Sequence, residues 1–145
     1  MVDLRGSLLV LLATVGAVRA AEFQVNQYTP NRQNRPTISH DPTGAFVVSW
    51  QSYGRDGSYY GVFGRRFYSS GTSLGAEFQV NQYTTSAQRD PAISHDSSGS
   101  FVVAWSSLDQ DGSEYGVFAR LFPAALVTTG PAPGGGSLVR RHQRN

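Results

Sequence analysis

The chain repeats itself at an offset of 55 residues, and no other feature restricts its fold as strongly. The nine residues AEFQVNQYT at positions 21–29 recur unchanged at positions 76–84. The correspondence continues without a gap to Phe67 and Phe122, and about 30 of the 47 aligned positions are identical. Because copies this similar have the same packing duties, each copy is predicted to be one supersecondary unit that stacks against its neighbour.

Each copy contains four short segments with the pattern of β-strands. In the first copy these segments cover residues 23–27, 36–39, 45–51 and 60–67. Apolar and polar residues alternate in the first segment, and Phe46, Val48 and Trp50 share one face of the third. The sequences DPTG at positions 41–44 and DG at positions 56–57 are typical of tight turns between such strands.

These patterns predict an all-β fold with two propeller-like blades of four antiparallel strands each. A β-sandwich made from the two sheets is the alternative. A closed propeller needs about four to eight blades, and two sheets alone leave faces and strand edges open. The predicted partners are therefore other copies of this chain, or further repeats if the chain is a fragment of a longer array.

The chain divides into four predicted parts. Residues 1–20 have the pattern of a signal peptide, with an apolar run followed by small residues at the cleavage position. Residues 21–75 and 76–122 are the two β repeats, and residues 123–145 form a Gly/Pro/Arg-rich tail that is predicted to be disordered. That tail is either a natural extension or the product of a reading-frame break.

The leader and the composition limit where the protein works and what it binds. The apolar run of the leader is shorter than the roughly 20 residues that span a bilayer, so we expect no membrane span and a secreted, cell-surface or periplasmic protein. Residues 21–122 contain seven Arg against nine Asp and Glu, which argues against a nucleic-acid partner. The absence of cysteine excludes disulfides, cysteine-bound zinc and thiol nucleophiles.

The motifs EFQVN, FVVxW and DGSxxGVFxR between residues 21 and 122 resemble the tandem repeats of long secreted bacterial proteins. Those repeats look like propeller-like blades in large cell-surface or adhesin-type proteins. The resemblance implies a non-catalytic module with a structural or adhesive binding role and identifies no ligand. This chain departs from the pattern in having only two copies, which leaves open whether it acts alone.

A carbohydrate-binding, lectin-like homo-oligomer that closes a propeller ring is the alternative function. Aromatic rings stack on the apolar faces of sugars, and polar neighbours supply hydrogen bonds. The candidate ligand-binding residues are Trp50, Tyr53, Tyr59, Trp105 and Tyr115. For the two tryptophans, a packing role in the core is the competing interpretation. Tyr53 and Tyr59 become Leu108 and Glu114 in the second copy, so a site there would differ between copies.

The sequence predicts no enzyme. Ser39, His40 and Asp41 have the residue types of a hydrolase triad, but consecutive strand residues point to opposite faces and cannot converge locally. A strand that ends in an Asx-type turn explains the same three residues. We therefore assign no catalytic residue.

Calcium is the one cofactor that the sequence suggests as a candidate. Asp109 and Asp111 place hard oxygen ligands at alternate positions before a glycine. The segment lacks the remaining acidic residues of an EF-hand loop, and an ordinary Asp-Gly hairpin turn accounts for it. We expect no cofactor, with calcium at Asp109 and Asp111 as the alternative.

Overall fold

The computed structural model describes residues 20–124. In this range the chain forms seven β-strands: β1 (Gln33–His40), β2 (Phe46–Tyr53), β3 (Tyr60–Phe67), β4 (Phe78–Gln79), β5 (Gln88–His95), β6 (Phe101–Leu108) and β7 (Tyr115–Phe122). Residues 20–124 contain no helix, which confirms the prediction of an all-β fold. The predicted signal peptide before Ala20 and the predicted tail after Ala124 lie outside the described residues.

The strands form two antiparallel sheets. Sheet A has the order β1-β2-β3-β4, and sheet B has the order β5-β6-β7. Strands β1, β2 and β3 correspond to β5, β6 and β7 at the 55-residue offset. The tight turns form as their sequences predict, and the Asp41 carboxylate accepts hydrogen bonds from the backbone N–H of Thr43 at 2.8 Å and from its hydroxyl. No helix in the described range could cross a membrane.

The prediction that residues 23–27 form the first strand of the first copy is wrong. These residues belong to no strand, whereas Phe78 and Gln79, their counterparts in the second copy, form β4. Strand β4 pairs with β3 of the first copy, placing Gln79 opposite Phe63 and Phe78 opposite Gly64. Sheet A therefore takes its fourth strand from the following repeat, and sheet B has three strands within the described residues.

Strand β1 is longer than the predicted segment 36–39 because a bulge lets it continue through Pro36. The pairing of β1 with β2 shifts between Asn34 and Thr37, and Arg35 adopts a positive φ of 53° at this point. Proline lacks a backbone N–H, so a strand tolerates it best at a bulge or an edge. Strand β5 has the same irregularity, with Asp90 at a φ of 54°.

Each sheet has two apolar faces, because side chains along a strand alternate between them. We call one the valine face, which carries Val47 and Val62 in sheet A and Val102 and Val117 in sheet B. We call the other the tryptophan face, which carries Val48, Trp50, Phe63 and Phe67 in sheet A and Val103, Trp105, Phe118 and Phe122 in sheet B.

The two sheets stack with the valine face of sheet A on the tryptophan face of sheet B. Val47 and Val62 form one buried cluster with Val103, Trp105 and Val80. Burial of a valine side chain contributes roughly 1.5–3 kcal/mol, so this cluster is a main source of stability for the stack. A second cluster lies on the tryptophan face of sheet A, where Val25 supplies part of the cover.

Candidate functional site

The valine face of sheet B is the largest contrast between the two copies. Its residues are exposed: Tyr115 by 50%, Val117 by 80%, Leu121 by 69% and Val102 by 38%. Val62, which corresponds to Val117, is 0% exposed, and Val47, which corresponds to Val102, is 3% exposed. The same residue types are thus core in the first copy and surface in the second. A contiguous apolar face of this kind is typical of an interaction site.

The edge of sheet B next to this face, along β7, differs from the equivalent edge of sheet A. In sheet A the equivalent edge, along β3, pairs with β4. There the N–H of Val80 donates to the carbonyl of Val62 at 2.8 Å, and the N–H of Val62 donates to Oδ1 of Asn81 at 2.7 Å. No strand within residues 20–124 pairs with the outer edge of β7. An open edge is a template for an added strand.

Residues 23–28 lie on the tryptophan face of sheet A. Nη1 of Arg65 donates a hydrogen bond to the carbonyl of Val25 at 2.9 Å, and the ring centroids of Phe23 and Phe67 are 5.4 Å apart. The second copy repeats both contacts: Arg120 donates to the carbonyl of Val80 at 3.1 Å, and the Phe78 and Phe122 centroids are 5.2 Å apart. The EFQVN segment therefore makes these two contacts with its own sheet in both copies.

The tryptophan face of sheet A is incompletely covered. A groove of about 270 Å³ is lined by Val25, Asn26, Gln33, Asn34, Pro36, Val48 and Trp50. Ile38 on β1 is 63% exposed, although its counterpart Ile93 packs against the cluster between the sheets. The described part of the molecule thus has two open apolar surfaces, one on each sheet. They correspond to the two surfaces that meet where the valine face of sheet A packs on the tryptophan face of sheet B, a contact that we call the internal joint.

The structure separates the aromatic residues that were proposed to bind a ligand. Trp50 and Trp105 are buried, 3% and 6% exposed, in the two hydrophobic clusters. Tyr115 lies on the exposed face of sheet B. Tyr53 and Tyr59 remain together at the surface, 41% and 59% exposed, with ring centroids 6.4 Å apart.

Three further residues complete the surroundings of Tyr53. The ring centroid of Tyr60 is 5.1 Å from that of Tyr53, with the planes at 73°. Asn31 and Arg32 line the same groove, whose volume is about 280 Å³. Of these three, Asn31 and Arg32 could not be recognised as site residues from the sequence. In the structure Asn31 has a positive φ of 61°, which turns the chain beside the groove.

Asp109 and Asp111 lie in the hairpin turn between β6 and β7. Asp109 has a positive φ of 61°, and Oδ1 of Asp111 accepts a hydrogen bond from the N–H of Ser113 at 3.4 Å. Across residues 20–124, no three His, Cys, Asp or Glu side chains cluster so that they could hold a metal ion. The prediction stays that of no cofactor, with calcium at Asp109 and Asp111 as its alternative.

The counterpart of Asp111 has a defined structural role. Oδ2 of Asp56 accepts hydrogen bonds from Nε2 of Gln79 at 3.4 Å and from Nδ2 of Asn81 at 3.3 Å. Asp56 thereby binds the strand that the second copy supplies to sheet A. The aspartate of the DGS turn is thus placed to receive an EFQVN segment, a function that the sequence alone did not indicate.

The Ser39, His40 and Asp41 side chains do not form a triad. The hydroxyl of Ser39 accepts a hydrogen bond from the backbone N–H of His95 at 3.1 Å, and Asp41 caps its own turn. The hydrogen bond from the Thr43 hydroxyl is the main cause that lowers the pKa of Asp41. These contacts are structural, and they match the Asx-turn interpretation.

A third cavity, of about 320 Å³, lies between the sheets beside Asp41, Arg66 and His95. Burial lowers the pKa of His95, while the neighbouring Asp41 and Asp96 carboxylates oppose the shift and Arg66 and His40 reinforce it. The guanidinium of Arg66 lies 4.8 Å from the centroid of the Phe101 ring. These charged groups border the joint between the sheets, so they link its stability to pH.

Comparison of the chain with protein-family models, curated proteins and solved structures finds no match. The function must therefore be inferred from the molecule's own surfaces. Of these, the valine face of sheet B has the most strongly exposed apolar side chains, with Val117 at 80% and Leu121 at 69%.

Proposed function

We propose that this chain is a non-catalytic, secreted repeat module whose function is to bind another β-sheet unit through sheet B. One observation supports this above all others: Val117 is 80% exposed, although its counterpart Val62 is fully buried against a neighbouring sheet. The face has the residue types of a buried interior, and no sheet within residues 20–124 covers it. The leader at residues 1–20 supports secretion.

Energetics favour a partner for this face. Tyr115, Val117 and Leu121 present large side chains along one strand whose backbone edge is also open. Docking of a sheet would remove this apolar area from water, and pairing of a strand with β7 would satisfy its N–H and carbonyl groups. A structural or adhesive role follows, because the module joins units and performs no reaction on them.

Sedimentation velocity of residues 21–145 over a range of concentrations tests the proposal. We expect association that strengthens with concentration, and we expect Val117→Asp to weaken it by more than about ten-fold, since a charge would enter the apolar contact. Tyr59→Asp is the matched control, because Tyr59 is 59% exposed but lies off the valine face. Monomers at every concentration, or equal effects of both variants, would contradict the proposal.

Carbohydrate binding is the second candidate function, and the groove at Tyr53 supports it. Tyr53 lines this groove together with Asn31 and Arg32, which offer hydrogen-bond donors, and the exposed ring of Tyr59 lies beside Tyr53. A glycan array with the wild-type protein and with Tyr59→Ala tests it. A signal of the wild-type protein that disappears in Tyr59→Ala supports carbohydrate binding. An array without signals contradicts it.

A further inference from the structure

We infer that the partner of sheet B is a second copy of the same chain, docked head to tail, which adds its residues 22–27 to β7 as a fourth strand. This inference rests on the proposed function and specifies its partner. It uses the joint inside the molecule as a template. There, sheet A contributes its valine face and β3 edge, and the second copy contributes its tryptophan face and the segment around β4.

Both halves of that joint are also present at the open ends of the molecule. Sheet B presents Val102 and Val117, which correspond to Val47 and Val62. Sheet A presents Ile38 and the groove beside Val25 and Trp50. In the internal joint, Ile93, Val80 and Trp105 pack around Val47 and Val62. A second chain placed by the same geometry would therefore bring valines into the groove.

The strand that would be added is identical in sequence to the one that already fills this role. Residues 21–29 and 76–84 do not differ at any position. Asp56 binds Gln79 and Asn81 of β4 and its vicinity, and the same geometry pairs Asp111 with Gln24 and Asn26 of the next chain. In the described structure Nδ2 of Asn26 donates only to the carbonyl of Tyr28, at 2.9 Å.

The charges at the joint also match. Arg35 and Asp90 occupy equivalent positions in β1 and β5, and Nε of Arg35 lies 3.0 Å from Oδ1 of Asp90. Head-to-tail docking sets Asp90 of one chain beside Arg35 of the next, so opposite charges meet at every joint. Two surfaces that meet face to face by two-fold symmetry would instead place like residues at equivalent positions.

Two substitutions between the copies change the new joint. Leu121 replaces Arg66, so an apolar contact with Phe46 takes the place of the cation–π contact between Arg66 and Phe101. Ala119 replaces Gly64, whose added Cβ would lie 2.8 Å from the end of the Phe78 ring. The ring of Phe23 must therefore turn aside at the new joint, which makes this joint weaker than the internal one.

Cross-linking tests the predicted register directly, because the wild-type chain has no cysteine. Gly64 and Phe78 are cross-strand partners, so Ala119 of one chain should face Phe23 of the next. Antiparallel partners lie within the Cα separation that a disulfide spans. The variants Ala119→Cys and Phe23→Cys are made in separate chains, residues 21–145, and are mixed under mild oxidation.

We expect a disulfide-linked dimer containing one chain of each variant in the mixture, and no such dimer from either variant alone. Self-linked Ala119→Cys dimers would show symmetric edge pairing and overturn the inference. Absence of the mixed dimer while the wild-type protein associates would also overturn it, leaving the proposed function intact. If the wild-type protein is monomeric at every concentration, the proposed function itself fails.

Complementation gives a second, independent readout. Ile38→Asp blocks the tryptophan-face end, and Val117→Asp blocks the valine-face end. We expect each variant alone to be monomeric and their mixture to sediment as a dimer and nothing larger, because one intact joint remains. Persistent self-association of Ile38→Asp, or no dimer in the mixture of two folded variants, would overturn head-to-tail docking.

Discussion

Residues 21–29 and 76–84 have the same nine letters and different structures. In the second copy, Phe78 and Gln79 form a strand against β3, and Val80 is fully buried between the two sheets. In the first copy, the same segment packs on its own sheet, has no strand beside it among the described residues, and leaves Val25 only half-buried. This segment therefore becomes a strand when a preceding sheet offers an edge. Paired variants in the two copies test that conclusion.

The largest difference is expected for the central valine. Val80→Asp places an unpaired charge in the cluster between the sheets, and we expect it to lower the free energy of unfolding by at least about 3 kcal/mol. Val25→Asp in the half-buried copy should cost clearly less. Urea denaturation at low protein concentration measures both. Equal losses would mean that the two segments are equally embedded, against the comparison.

The asparagines should show the next largest difference. Asn81 accepts from the N–H of Val62 at 2.7 Å and donates to Gln88 at 3.2 Å, both in buried positions. Asn81→Ala leaves these groups unsatisfied and should cost about 1–3 kcal/mol. Asn26→Ala should change the stability of the monomer by less than about 0.5 kcal/mol. Thermal melts at low concentration compare them, and a larger loss for Asn26→Ala would contradict the model of strand donation.

The joint should also weaken in mild acid. Burial lowers the pKa of His95 below its ordinary 6.5, so protonation favours the unfolded chain. At neutral pH His95 is neutral in both states and this destabilisation is absent. The free energy of unfolding should fall as the pH drops below 6.5 towards the pKa of His95 in the folded state. His95→Gln should reduce that decline. The lowered pKa values of Asp41 and Asp96 act in a separate window, below 3.8. Urea midpoints measured between pH 7.5 and 5 test this prediction. An equal decline of the midpoint with falling pH in the wild-type protein and in His95→Gln would mean that His95 has no role.

The smallest effect concerns one methyl group. Ala119→Gly restores at β7 the residue that stands at Gly64 in β3, where a Cβ would meet the Phe78 ring. We expect this variant to associate several-fold more tightly, while Gly64→Ala destabilises the internal joint by about 1–3 kcal/mol. Sedimentation and denaturation, respectively, provide the two measurements. Weaker association of Ala119→Gly would argue against a shared geometry for the two joints.

Much of the fold can be predicted from the sequence because alternation reports burial directly. Phe46, Val48 and Trp50 predict β2 to within two residues at each end, and the bounds predicted for β3 match the structure. The segment at 23–27 has equally good alternation and is no strand. Pattern records which side chains a segment can bury, whereas strand formation also needs a partner edge, and that edge depends on what precedes the segment in space.

The candidate site was predictable only in outline. A count of two repeats predicts that faces and edges stay open, but Val62 and Val117 are the same letter in the same motif. The immediate neighbours, YGVF at positions 60–63 and 115–118, are identical and do not distinguish the buried valine from the exposed one. The role of Asp56 was equally hidden, because its partners Gln79 and Asn81 lie more than 20 residues away and join it only through the pairing of β3 with β4.

Because sheet A receives its last strand from the start of the following copy, the folding unit and the repeated sequence are out of phase. Duplication of any 55-residue stretch of the repeat would add one sheet, which supplies a strand to the open edge of the sheet before it and has an open edge of its own. The number of sheets could therefore change by one at a time without a new kind of contact between neighbouring sheets.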